Sequence, residues 1–154
     1  MTRVYFVRHA QPEHAWKEDR TRPLTEEGKK DSAIVLEFLK EKKIDVFYCS
    51  PYKRSIDTIA ETAAFFGKEI IRDERFRERE KDPDKEIVIG THGTALSTIL
   101  NFYDNSFGCE DFLRIIDWMP YIIELDFEGN KLVGKYEHCH VEKEFKGSQR
   151  ADKK

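Results

Sequence analysis

Apolar residues fall along this chain in short bursts, and the spacing inside each burst predicts an element. Val4 to Val7 is a continuous apolar run, the pattern of a strand covered on both faces. A polar, proline-containing loop is predicted from Ala10 to Pro23. Leu24-Thr25-Glu26-Glu27 reads as a helix start, with Thr25 as N-cap and acidic residues in the first turn. Ile34, Val35, Phe38 and Leu39 give that helix a buried stripe, and Lys40, Lys42 and Lys43 suit its C-terminal end. Asp45 to Cys49 predicts a second strand. In the helix after it Ser50 is a candidate cap, Pro51 fits the first helical position and Gly67 the stop. Ile56, Ile59, Ala60 and Ala63 recur there at i, i+3, i+4 and i+7. Ile70-Ile71 suggests a brief third strand and Ile87 to Ile89 a fourth, followed by a helix over Thr94 to Tyr103. Ile122 to Phe127 and Lys131 to Tyr136, joined through Gly129-Asn130, read as a closing β-hairpin.

Strands alternating with helices predict an α/β fold, a three-layer α/β/α sandwich around a mostly parallel central sheet. One domain is expected over residues 1–141, followed by a charged, mobile tail over 142–154. In such sheets ligands bind beyond the carboxyl ends of the strands. Polar residues gather at those ends. Arg8 and His9 follow the first strand. Ser50 and, one turn into the helix, Arg54 follow the second. Thr91-His92-Gly93 follows Ile87 to Ile89 and opens another helix.

Composition narrows the partners. The 154 residues suit a single core, and the net charge of −3, mixed in sign, gives no electrostatic reason for nucleic-acid or membrane binding. No apolar run is long enough to span a bilayer, and no signal-peptide pattern opens the sequence. Cys49, Cys109 and Cys139 are an odd number without paired spacing, which fits reduced thiols; the expected location is cytoplasmic. His138-Cys139-His140 lacks the spaced pairs of a structural zinc site, and alternation at the end of a hairpin explains it more simply. No metal and no cofactor is expected.

Two guanidiniums and a helix N-terminus in one crevice form an oxyanion site, because paired N–H donors match phosphate oxygens and the helix end adds backbone N–H groups. A neutral imidazole there is a competent nucleophile toward phosphorus, its unperturbed pKa of about 6.5 leaving it mostly deprotonated at neutral pH. A second imidazole can bond the equatorial oxygens of the transferring group. The leaving alkoxide needs a proton, and the cluster from Arg75 to Glu80 holds the candidate carboxyl groups.

Arg8-His9-Ala10, the segment from Cys49 to Thr58, Phe76-Arg77-Glu78 and Gly90-Thr91-His92-Gly93 occur in that order, and Leu24 to Gly28 matches a first helix start. From Val4 to Tyr103 the chain resembles the histidine phosphatase superfamily, the phosphoglycerate mutase-like family. The resemblance implies that His9 becomes phosphohistidine. Arg8, Arg54 and His92 would form the phosphate pocket, with the Gly93 N–H contributing. Glu78 matches the position of the general acid, which then activates water. It also implies no metal, the arginines neutralising the charge instead.

The chain departs from the mutase pattern in three places. Gln11, Pro12 and Ala15 stand where mutases often carry glutamate, threonine and asparagine. Only Arg79 to Glu86 separate Glu78 from the next strand, which fits a compact member with an open site, or else a longer molecule whose intact mass exceeds 18.2 kDa. Glu80 is a second candidate acid beside Glu78. The leading expectation is therefore a metal-independent phosphatase acting on phosphomonoesters or phosphohistidine. A mutase-like phosphotransferase and a non-catalytic phospho-ligand-binding module are the alternatives. The expected partner is a phosphorylated small molecule ahead of a phosphoprotein, with oligomeric state open. His14 is expected on the loop beside the site, Trp16 in the pocket wall or the core, and Trp118 to Tyr121 in a packed corner.

Overall fold

The computed structural model describes residues 1–72 and 85–143. Glu78 and Glu80, with the rest of their charged cluster, and the tail from residue 144 onward lie outside the described residues. The chain runs β1 (Thr2–Arg8), α1 (Glu26–Leu39), β2 (Val46–Cys49), α2 (Lys53–Phe65), β3 (Ile70–Arg72), β4 (Glu86–Thr91), α3 (Gly93–Tyr103), α4 (Cys109–Ile115), β5 (Trp118–Glu128) and β6 (Lys131–Glu142).

The strands form one sheet in the order β3-β2-β4-β1-β5-β6. The first four are mutually parallel, whereas β5 and β6 pair antiparallel and close that edge as a hairpin. Alternation along β1 divides the core. Val4 and Phe6 face a cluster with Leu96, Leu100 and Ile115 from α3 and α4. Tyr5 and Val7 face one with Val35, Leu39, Ile59 and Ala63 from α1 and α2. This is the α/β/α sandwich expected, with a sheet parallel over four of its six strands.

Thr25 caps α1 as expected, its hydroxyl accepting the Gly28 N–H at 2.9 Å. The buried stripe of α1 is rotated from the expected one. Val35 and Leu39 are fully buried, each contributing about 1.5–3 kcal/mol, while Ile34 is 38% exposed and Gly28 and Ser32 complete the inward face. Gly28 is there because the loop after β1 lies against it: a Cβ would sit 2.4 Å from the Gln11 carbonyl oxygen. That loop is also tied to α1 by the Thr25 N–H donating to the Gln11 carbonyl at 3.0 Å.

In α2 the first residue is Lys53 and Tyr52 is the N-cap, so Ser50 and Pro51 stand outside the helix. The inward face is Ser55, Thr58, Ile59, Thr62 and Ala63 rather than the purely aliphatic set, and Ala60 is exposed. The hydroxyls of Ser55 and Thr58 on this face reach the polar ends of the strands, at His92 and the Ala10 N–H. Gly67 follows the helix with φ of 65°. Helix α4 has no counterpart among the expected elements, and its Gly108 N–H donates to the Asp111 carboxylate at 3.0 Å. The hairpin is longer than its aliphatic pattern suggested. β5 begins at Trp118, with Met119 and Tyr121 fully buried, and β6 continues to Glu142. Lys143 then pairs with Glu27 and Asp31, each at 2.9 Å. No helix among the described residues is long and apolar enough to cross a membrane.

Candidate active site

The carboxyl ends of three strands meet at one level. Arg8 on β1 pairs in register with Thr91 on β4, and Gly90 on β4 lies opposite Cys49 on β2. The chain leaves each strand still tied to its neighbour: the His9 N–H donates to the Thr91 carbonyl and the Ser50 N–H to the Gly90 carbonyl, both at 3.2 Å. His9 and Ser50 are thereby fixed by sheet hydrogen bonds at the roots of their side chains, and His92 directly follows the Thr91 carbonyl that receives His9. Their convergence follows from parallel topology, because β4 inserts between β1 and β2.

His9 is 6% exposed, and its ring centroid lies 5.5 Å from that of His92. Its Nδ1 is 2.8 Å from the Ala10 carbonyl oxygen. A carbonyl only accepts, so Nδ1 carries the hydrogen and the Nε2 lone pair is left as the nucleophilic atom. Burial, and next the Arg8 guanidinium, push this imidazole well below its ordinary pKa, so it is neutral at pH 7. The Ala10 peptide is itself held from behind. Its N–H donates to Thr58 Oγ1 at 2.9 Å, and that buried hydroxyl donates to the Arg54 carbonyl at 2.7 Å.

Arg8 is buried beside it. Its Nη1 donates to the carbonyls of Ile115 at 2.9 Å and Ile116 at 2.7 Å, anchoring the guanidinium on the end of α4. Burial lowers its pKa to about 10, which leaves it charged, and its buried Nε has no hydrogen-bond partner among the described residues. An unmatched buried donor on a cation is costly unless an anion meets it. Gly93 lies directly against this group: a Cβ there would be 2.9 Å from Arg8 Cζ. Glycine lets the N-terminus of α3 approach the guanidinium, which brings both positive features into one crevice.

His92 is the N-cap residue of α3, with its Nε2 2.7 Å from Ser50 Oγ and 3.3 Å from Ser55 Oγ. Burial, and then the Arg54 charge, lower its pKa to about 4, so this ring too is neutral. Tyr52 packs edge-on against it at 4.9 Å and carries the guanidiniums of Arg54 and Arg20, each 5.0 Å from its ring centre. Arg54 Nη1 donates to the Asp19 carbonyl at 2.8 Å and meets the Asp19 carboxylate at 3.1 Å. The same Asp19 oxygen receives Arg22 at 2.9 Å, so one carboxylate organises the loop opposite the strand ends. Trp16 on that loop is 47% exposed rather than core, its indole N–H bonded to Thr21 at 2.9 Å.

Arg8, His9, Arg54, His92 and Gly93 are thus gathered at one edge of the sheet; Glu78 and Glu80 lie outside the described residues. Asp19, Tyr52, Ser55 and Thr58 were not singled out from the sequence. The signal for Ser55 and Thr58 was present in their phase: they recur with Thr62 at helical spacing on the face that bears Ile59. His138-Cys139-His140 is divided by a bulge in β6. His138 bonds Glu124 at 2.7 Å, while His140 stacks on Trp118 with ring centroids 3.7 Å apart. Among the described residues no group of three or more His, Cys, Asp or Glu is placed to hold a metal ion. Chemically, a neutral nucleophilic imidazole between the buried Arg8, the half-buried Arg54 and a helix N-terminus is equipped to receive a tetrahedral oxyanion.

Comparison with known proteins gives the same direction. Residues 4–82 match the family model of the histidine phosphatase superfamily, branch 1. A Hydrogenobacter thermophilus protein named "Putative phosphoserine phosphatase 2" is 39% identical over 83 residues, covering 51% of this chain and 40% of that protein. The chain therefore matches well under two thirds of that relative's length. The Bacillus stearothermophilus protein YhfR superposes with a TM-score of 0.71 at 14% identity, over 86% of this chain and 95% of its own. The protein histidine phosphatase SixA, solved with tungstate, gives 0.69 at 13% identity over 91% and 96%. The family model spans half of the sequence and contains the Arg8-His9 strand end, the capped α1 and the Arg54 helix, so the chain belongs to the histidine phosphatase superfamily, branch 1.

Proposed function

We propose that this protein is a phosphatase that hydrolyses phosphomonoesters or phosphohistidine through a phospho-His9 intermediate. The observation that carries the reading is the Ala10 carbonyl on His9 Nδ1, which leaves Nε2 as a bare lone pair beside Arg8. His9 Nε2 attacks phosphorus, the P–O or P–N bond to the leaving group breaks, and water later cleaves the P–N bond to His9, releasing phosphate. Arg8, Arg54, His92 and the Gly93 N–H bind the three equatorial oxygens, each donor contributing about 10²–10³ in rate if it acts as oxyanion-site donors do elsewhere. No metal is required, because two guanidiniums supply the charge neutralisation. Glu78 protonates an alkoxide leaving group and then draws a proton from the attacking water.

The substrate class is supported from two sides. The tungstate bound to SixA is a tetrahedral oxyanion, as a phosphoryl group is. The Hydrogenobacter relative is named for phosphoserine and SixA as a protein histidine phosphatase, and serine and histidine leaving groups differ in their need for a proton. Phosphoserine, a phosphohistidine peptide and an aryl phosphate, each assayed for free phosphate with and without chelator, test the reading. Chelator-insensitive release that His9→Ala abolishes is the expected result; release that survives His9→Ala contradicts it.

A further inference from the structure

Two serine hydroxyls converge on one nitrogen of His92. Ser50 is 7% exposed, and its backbone N–H is pinned to the Gly90 carbonyl, which fixes the root of the side chain beside the ring it faces. Ser50 Oγ lies 2.7 Å from His92 Nε2, and Ser55 Oγ lies 3.3 Å from the same atom. Ser50 Oγ also receives the Tyr52 N–H at 3.4 Å. A hydroxyl carries one hydrogen to give, and a neutral imidazole one N–H. Were the ring hydrogen on Nε2, the hydroxyl hydrogens of Ser50 and Ser55 would have no acceptor among the described residues. With Nε2 bare, the short Ser50 bond is satisfied and Ser55 has the same acceptor within reach. The hydrogen then sits on Nδ1, the ring nitrogen nearer the backbone, at the N-terminus of α3. His92 makes no side-chain cap bond to that helix, so this N–H is not spent on the backbone.

We propose that Ser50 is a positioning residue that holds His92 as its Nδ1–H tautomer, turning the ring into a fixed hydrogen-bond donor to a bound phosphoryl oxygen. The inference rests on the phosphoryl-transfer reading above for its catalytic meaning, but the tautomer and oxyanion binding are measurable without turnover. His9 and His92 are thus given the same protonated nitrogen by opposite means: a carbonyl accepts from His9 Nδ1, and the Ser50 hydroxyl donates to His92 Nε2. The two rings end in complementary roles, with a lone pair offered by one and an N–H by the other.

Long-range ¹H–¹⁵N NMR of the histidine rings tests this, with His92 assigned by comparison to His92→Gln and inorganic phosphate as the probe ligand. The expected result is an unprotonated Nε2 and a protonated Nδ1 in the wild-type protein, with Nδ1 shifting when phosphate is added. Ser50→Ala should mix the two tautomers and weaken phosphate binding by about tenfold, the lower end of the scale for one lost hydrogen bond to a charged group. Ser50→Thr, which keeps the hydroxyl, should restore both. A protonated Nε2 in the wild type overturns the proposal without any variant. So does a Ser50→Ala protein with an unchanged tautomer and unchanged phosphate affinity. If the tautomer and phosphate results hold while no phosphoester or phosphohistidine is hydrolysed, the enzyme reading falls and the role of Ser50 in oxyanion binding stands.

Discussion

The hydroxyl of Thr58 on α2 receives the Ala10 N–H at 2.9 Å, so the residue behind the proposed nucleophile is held by the helix that carries Arg54. The same peptide's carbonyl fixes the His9 tautomer, which makes Thr58 part of the alignment of His9 with Arg54. Thr58→Val is isosteric but strands a buried N–H, and should cost about 1–3 kcal/mol of stability. Thr58→Ser should recover most of it. Urea unfolding of the two variants checks this; a Thr58→Val protein as stable as wild type would show that the peptide finds another partner.

Gly93 gives a steric test of the crevice. An alanine Cβ would lie 2.9 Å from Arg8 Cζ and about as close to two of its nitrogens, so either the guanidinium or the start of α3 must move. Phosphatase activity should fall by about tenfold or more, since a small displacement of positioned groups has large kinetic consequences. Circular dichroism should be unchanged. Full activity in Gly93→Ala would mean that Arg8 and the α3 N-terminus need not be adjacent.

Stability should depend on pH through the buried imidazoles. Folding lowers the pKa of His92 from its ordinary 6.5 to about 4, and that of His9 also falls, both chiefly through burial. Above about pH 7.5 neither state takes up a proton at these rings. As pH falls from there toward 4, the unfolded chain binds protons that the native chain refuses, so stability is lost in that window. His92→Gln removes one such site and should flatten the slope between roughly pH 6 and 4.5 by about 1.4 kcal/mol per pH unit. Identical slopes in urea titrations of the two proteins would show that His92 protonates freely in the folded state.

The general acid is separable by leaving group. Glu78→Gln should depress phosphoenzyme formation from an alkyl phosphate such as phosphoserine by about 10²-fold or more while barely affecting its formation from an aryl phosphate, whose leaving group needs little protonation. Measuring both substrates with Glu78→Gln and Glu80→Gln decides between the two carboxyl groups. The same pattern in Glu80→Gln alone would transfer the role.

Much of the cationic crevice was legible because parallel strands announce their carboxyl ends. An apolar run that stops on Arg8-His9, or on Thr91-His92 before a helix, places those side chains at the sheet edge with no further information. The polar supports were less visible. Ser50 resembles an ordinary helix cap in sequence, yet Tyr52 takes the cap and the Ser50 hydroxyl is drawn to His92 instead. Thr58 and Ser55 were hidden by reading α2 for aliphatic residues alone, when its inward face mixes Ile59 and Ala63 with hydroxyl groups. Asp19 sits in a loop without periodicity, where the pairing of one carboxylate with both Arg22 and Arg54 emerges only from tertiary structure. The early start of β5 escaped because Pro120 argues against a strand interior, whereas here it lies near the strand's beginning.

The most direct test is to mix enzyme with a ³²P-labelled substrate, quench within a turnover and locate the label. The account predicts acid-labile, alkali-stable phosphate on His9, formed without added metal and absent from His9→Ala. Hydrolysis proceeding at the wild-type rate with no phosphorylated His9, or with the label on another residue, would contradict it.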